Sequence, residues 1–134
     1  MNDWKLKLTE PEKSLIGNIL KSFAQTEVHV NDYWSTKVSV WFPKPEIQAM
    51  ARVFADFESI HAEAYARLNE ELGLDNFAAF MEDEEAKAKI DRLIETPGET
   101  LSEKALSLAI FSAFTEGVNL FSSFAVLMSF QLRN

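Results

Sequence analysis

An all-α fold, built as a bundle of long antiparallel helices, is predicted by three observations. Two capping-box patterns precede stretches of apolar residues at helical spacing. The four prolines fall only at the edges of those stretches. Apolar residues make up 47% of 134 residues and include eleven Phe, enough for a packed interior in what reads as one domain over 1–134.

The first helix is announced by Thr9-Glu10-Pro11-Glu12, with Thr as N-cap, Pro in the first turn and Glu three residues after the cap. Leu15, Ile16, Ile19, Leu20 and Phe23 then recur at helical spacing, which carries the helix to about Asp32. Tyr33 to Pro45 holds Val38, Val40, Trp41 and Phe42 and reads as a short strand or an extended connection, closed to helix at Pro43 and Pro45. A second long helix is expected from Pro45-Glu46 to Leu72, with Gly73 as its C′ residue. Its expected inner face is Met50, Val53, Phe54, Phe57, Ile60, His61, Ala64 and Leu68. Leu74 to Met81 reads as a short connecting piece, and Asp83 as the cap of a charged helix from Glu84 to Ile94. Pro97-Gly98 marks a turn. Thr100-Leu101-Ser102-Glu103 is the second capping box and opens a helix to about Leu132. That helix is apolar nearly all round, so a central position is expected. No internal repeat is present.

Composition narrows the function. A net charge of −8 disfavours nucleic acid as a partner, since polyanion binding needs a basic patch. The absence of Cys removes disulfides, thiolate ligands and cysteine nucleophiles. The start Met1-Asn2-Asp3-Trp4-Lys5 is polar and unlike a signal peptide. Glu116, Asn119 and several Ser interrupt the most apolar run, Ala105 to Phe130, which argues against a membrane span and for a cytoplasmic protein.

The chemistry concentrates in Asp56-Phe57-Glu58-Ser59-Ile60-His61-Ala62-Glu63-Ala64-Tyr65. On a helix, Glu58 and His61 share a face, so a carboxylate and an imidazole can reach one metal ion. Tyr65 sits one turn further on, where a phenol can give an electron and a proton to an oxidising metal centre. Glu27 and Glu116 are carboxylates in similarly apolar surroundings, where a metal would make their charge useful. Oxygen ligands with one imidazole suit iron or manganese. Each residue also has a plainer reading: Glu27 as a solvated residue near a helix end, Glu116 as a hydrogen-bonded buried acid, Tyr65 as a core aromatic. Glu63, Glu70, Glu71 and the run from Glu82 to Glu85 read as solvated, and His29 as non-ligating. Taken together, the acids and the Glu-x-x-His match the ligand pattern of ferritin-like di-iron and di-manganese bundles.

At this point the chain resembles the small, radical-generating subunit of class I ribonucleotide reductase. Leu8-Thr9-Glu10-Pro11-Glu12-Lys13 is similar to the start of that family's first ligand helix. Phe57 to Tyr65 is similar to its Glu-x-x-His segment with the following tyrosine, and Thr115 to Ala125 to its next ligand helix. The resemblance implies Glu27 as the first carboxylate ligand, Glu58 as the bridging carboxylate, His61 as the imidazole of the first metal and Glu116 as a carboxylate of the second. It implies Tyr65 as the radical site, with Leu120 and Phe124 in the dry pocket around it. It further implies two iron ions, or manganese and iron, and a large-subunit partner that reduces ribonucleotides.

The family's second Glu-x-x-His, its upstream tryptophan and its docking tail have no counterpart here, so four of six ligands are expected and a truncated chain is implied, inactive by itself. An apolar groove left by missing helices implies a homodimer or higher homo-oligomer. Two alternatives stand beside this: a related ligand-binding oxidase that shares the metal fold, and a non-catalytic helical assembly module.

Overall fold

A computed structural model describes residues 2–74, 84, 85, 87, 88 and 98–133. A short helix, α1 (Asn2–Leu6), precedes α2 (Glu10–Asp32). The start of α2 is fixed as the sequence implies: the Thr9 N–H and hydroxyl both donate to the Glu12 carboxylate at 2.8 Å. Its buried face is Gly17, Leu20, Phe23, Ala24, Glu27 and Val30, a repeat of three to four residues.

The chain does not leave the helix after Asp32. Tyr33–Val38 continues as a π-helix and Ser39–Trp41 as α3, so the expected strand or extended connection is overturned as far as Trp41. Packing explains the difference. Tyr33 and Val38 are buried, and the Tyr33 ring meets Trp34 and Trp41 edge-on, both at 5.9 Å. Side-chain burial of this kind outweighs the weak strand preference of β-branched and aromatic residues. The hydroxyls of Ser35, Thr36 and Ser39 donate to carbonyls four residues back, a local bonding that suits a distorted winding. The helix ends at Phe42, in extended backbone ahead of Pro43.

Helix α4 (Pro45–Leu72) begins with Pro at its first position and ends at Gly73, whose φ of 71° is the left-handed conformation a side chain resists. The Leu74 N–H donates to the Asn69 carbonyl at 2.8 Å and the Gly73 N–H to Glu70 at 3.0 Å, closing the helix end. A Cβ on Gly17 would stand 3.1 Å from Leu74 Cδ2, so glycine there admits the chain end of α4.

Helices α2 and α4 form an antiparallel hairpin: Leu20 meets Asn69, Phe23 meets Tyr65, Glu27 meets His61 and Asn31 meets Ala55. The face of α4 that meets α2 differs from the expected one. Ala51, Ala55 and Asn69 are buried, and Glu58, Ala62 and Tyr65 are half-buried. Met50, Val53, Phe54, Phe57, Ile60, His61, Ala64 and Leu68 are exposed. The buried stripe follows the expected one by a single residue, a rotation of about 100°. Small side chains let the two backbones approach closely, which a row of Phe and Met would prevent.

Contacts divide the chain into two compact units, Met1–Ile94 and Glu95–Asn134. In the second, the Glu103 N–H donates to Thr100 Oγ1 at 3.2 Å and the Thr100 N–H returns a bond to the Glu103 carboxylate at 2.8 Å. Donation to the Glu103 carboxyl from the Thr100 N–H and side chain holds it below its ordinary range. The helix then runs as expected: α5 (Leu101–Ile110), a π-helix over Phe111–Leu120, α6 (Phe121–Ser129) and a 3₁₀ turn over Phe130–Arg133. Among the described residues, only Ser107, Phe111 and Thr115 are buried along it, whereas Leu101, Leu106, Phe114, Phe121 and Met128 are exposed. By length and composition alone Leu101–Ser129 is apolar enough to cross a membrane, so Glu116 and Asn119 do not by themselves exclude a span; core helices pass the same test.

The expected connection beyond Leu74, most of the charged helix from Glu84 to Ile94, and Pro97 lie outside the described residues. Glu84, Glu85, Lys87 and Ala88 are helical and exposed.

Candidate metal centre

The α2–α4 seam gathers three side chains with donor atoms. Glu27, on the buried face of α2 after Phe23 and Ala24, is 6% exposed. Glu58 and His61 reach it from one turn of α4, with His61 Nδ1 3.0 Å from Glu58 Oε2 and 3.8 Å from Glu27 Oε2. One donor atom from each lies within 4.8 Å of the others. Two ligands on opposite sides of a hard cation, each at roughly 2.0–2.6 Å, stand about that far apart, so one ion fits the set. Two carboxylates and one imidazole suit iron or manganese. Burial differs sharply within the group: the Glu27 side chain is 8% exposed, that of Glu58 15% and that of His61 54%. His61 is the most exposed of the three.

Tyr65 lies one turn beyond His61, half-buried, its ring 5.0 Å from that of Phe23. Burial, then the negative charges of Glu27 and Glu58, raise its phenol above the usual 10.0. The phenol therefore keeps its proton at neutral pH, and both carboxylates act on it electrostatically.

Two asparagines flank the group, and sequence reasoning passed over both. Asn31, one turn past Glu27, donates from Nδ2 to the Ala55 carbonyl at 2.6 Å and to Ser59 Oγ at 2.9 Å. With Glu27, Val28, Glu58, Ser59 and Ala62 it lines an open pocket of about 310 Å³. Asn69, one turn past Tyr65, is wholly inaccessible and donates to the Leu20 carbonyl at 3.1 Å and the Tyr65 carbonyl at 2.7 Å. Both neighbours are carbonyls, so the amide nitrogen must face them. Asn69 Oδ1 then has no hydrogen-bond partner among the described residues. Two net hydrogen bonds at about 0.5–1.5 kcal/mol each are roughly cancelled by one stranded buried acceptor at about 1–3 kcal/mol. The signal that could have found Asn69 is its spacing, four residues after Tyr65 on the stripe that carries Glu58.

Glu116, Leu120 and Phe124 belong to the second unit and are half-buried there. Glu116 lies within the π-helical Phe111–Leu120, a winding often found at functional positions. A Cβ on the following residue, Gly117, would stand 3.2 Å from the Ser112 carbonyl oxygen, so the local backbone leaves little room for a side chain. Because i→i+5 bonding replaces i→i+4 in this segment, Leu120 and Phe124 are turned away from the angles that α-helical spacing gives them relative to Glu116. His29 is not part of the Glu27, Glu58 and His61 group.

Comparison with known proteins places the chain in a family. The family model for the small chain of ribonucleotide reductase matches residues 1–134. The chain is 36% identical to the probable ribonucleoside-diphosphate reductase small subunit 376L of Invertebrate iridescent virus 6, over 98% of this chain and 41% of that protein. It is 30% identical to the corresponding probable small subunit 048L of Invertebrate iridescent virus 3, over 97% of this chain and 39% of that protein. A ribonucleoside-diphosphate reductase small subunit of Dictyostelium discoideum is 30% identical over 70% of this chain and 25% of its own length. The chain thus spans about two-fifths of the length of the viral relatives it matches. A helical hairpin that closes a Glu-x-x-His onto a buried carboxylate, in a sequence matched end to end by the family model, belongs to the ribonucleotide reductase small-chain family, whose fold is the ferritin-like helical bundle.

Proposed function

We propose that this chain contributes to the small subunit of a ribonucleoside-diphosphate reductase and carries ligands of a di-metal carboxylate centre beside a radical-forming tyrosine. The observation that supports this reading most directly is the convergence of Glu27, Glu58 and His61 within 4.8 Å, one turn from Tyr65. In it, Glu27, Glu58 and His61 hold metal, two irons or manganese and iron, and Glu116 is a further ligand. When bound, such a centre supplies an oxidising equivalent drawn from dioxygen. The chain's own residues prepare for that event. Burial and the carboxylates keep Tyr65 a neutral phenol, so loss of an electron is tied to loss of the proton on its oxygen. The Phe23 ring covers one side of Tyr65 and limits access of water. Leu120 and Phe124 are assigned to the same protective role.

The partners in this reading are a second copy of the chain, as homodimer or higher homo-oligomer, and the reductase large subunit, in the cytoplasm. Exposed Val53, Phe57 and Ile60 on α4 support association. The same exposure favours a second reading, a helical assembly module without a working centre. Tyr65 favours the reductase over a ligand-binding oxidase.

Anaerobic ferrous titration followed by oxygen separates these readings. Stoichiometric iron that Glu58→Ala removes is the expected result. A tyrosyl electron paramagnetic resonance signal absent in Tyr65→Phe would mark a complete centre, and iron without a radical a metal site lacking its remaining ligands. No iron uptake overturns the reading in favour of the assembly module.

A further inference from the structure

Asn31 and Asn69 stand at the two ends of the donor group, one on each helix, and each reaches a backbone carbonyl of the other helix. Asn31 donates to Ala55 O and Asn69 to Leu20 O. Between these crossings lie the Glu27–His61 and Phe23–Tyr65 contacts. Ala51, Ala55 and Ala62 make the rest of the α4 seam smooth, and smooth apolar seams resist sliding poorly. A carbonyl is a fixed target. Moving α4 by one residue along α2 shifts each donor by about 1.5 Å and turns it by about 100°, enough to break both crossings.

We infer that Asn31 and Asn69 are positioning residues, a pair of clamps that fixes the register of α4 on α2 and so brings Glu27, Glu58 and His61 together before any ion arrives. The functional meaning of the clamps rests on the reading of the donor group as a metal centre; the clamps themselves do not. Asn69 is the sharper case. Among the described residues its hydrogen bonds are offset by an Oδ1 that has no partner, so a contribution to stability does not account for an amide at a wholly inaccessible position. A single buried asparagine between paired helices fixes register at a cost in stability, and leucine in its place commonly stabilises while loosening specificity. Asn31, nearer the surface, anchors the opposite end and holds Ser59, the neighbour of Glu58.

The test compares Asn69→Leu and Asn31→Leu with Val38→Ala, a buried position in the same unit that makes no clamp. Three readouts are taken on the full chain: melting temperature, the ring-to-ring nuclear Overhauser contact of Phe23 with Tyr65 without metal, and Mn(II) affinity by electron paramagnetic resonance. For Asn69→Leu the expected result is an unchanged or raised melting temperature, a lost ring contact and a Kd for Mn(II) about tenfold higher. Val38→Ala is expected to lower the melting temperature and keep the contact and the affinity. An Asn69→Leu chain that keeps the ring contact overturns the clamp, whatever its melting temperature or affinity. If that variant fails to fold, Asn31→Leu is judged by the same ring contact. If the unsubstituted chain takes up no Mn(II), the metal reading fails, and the clamp is still decided by the ring contact alone.

Discussion

Two neighbouring faces of α4 are used in opposite ways. The face against α2 carries Ala51, Ala55, Glu58, Ala62, Tyr65 and Asn69, small or polar side chains that are buried or half-buried. The face next to it carries Met50, Val53, Phe54, Phe57, Ile60 and Leu68, and these are exposed. In an ordinary amphipathic helix the apolar stripe marks the core. Here the close contact goes to the side chains that permit backbone approach and to the candidate ligand Glu58, and most of the large apolar ones are left for other surfaces. The hairpin positions chemical groups, and most of the helix's apolar area lies outside it.

The comparison can be broken by substitution. The largest effect is expected at Phe23, which is 4% exposed and packs on Tyr65 from α2. Phe23→Ala should lower stability by about 3–5 kcal/mol, read from the urea unfolding midpoint. At Glu58 the effect should fall on metal instead of fold. Glu58→Ala is expected to weaken Fe(II) or Mn(II) binding by about 100-fold or more by calorimetry, since even supporting groups around a metal cost about 10–100-fold.

A smaller effect is set by pH. Tyr65 has a raised folded-state value, so its contribution to stability is fully present below its ordinary 10.0 and is lost as pH rises through that higher value. The difference in phenolate absorbance between the chain and Tyr65→Phe should therefore have its midpoint above pH 10.0. The smallest effect is expected on the exposed face. Phe57→Ser should change unfolding stability by no more than about 0.5 kcal/mol while reducing self-association in sedimentation. A loss as large as that at Phe23 would show that both faces of α4 are core.

Much of this was legible in the sequence because local chemistry decides it. Thr9, Pro45, Gly73 and Thr100 mark helix ends through the backbone groups they satisfy or the conformations they allow, and the helices begin and end there. The Glu58–His61 pair follows from helical spacing in the same way. Two readings failed for a shared reason. Tyr33 to Trp41 was assigned by composition, and tertiary burial of Tyr33 and Val38 kept it helical. The inner face of α4 was assigned by where apolar residues are densest, which is about 100° from the face α2 touches. Asn31 and Asn69 look like surface asparagines until the partner helix is known, because the carbonyls they bond lie 24 and 49 residues away.

The hairpin has a consequence for how the protein is made. Glu27, Glu58, His61 and Tyr65 all come from two consecutive helices joined by the tight Phe42–Lys44 connection, so the whole group lies ahead of Gly73 in the chain. At a synthesis rate of about 5–20 residues per second, α2 and α4 can pair within seconds of emerging, ahead of Thr100 and everything after it. The donor group of α2 and α4 is then laid down first, before the second unit has been made.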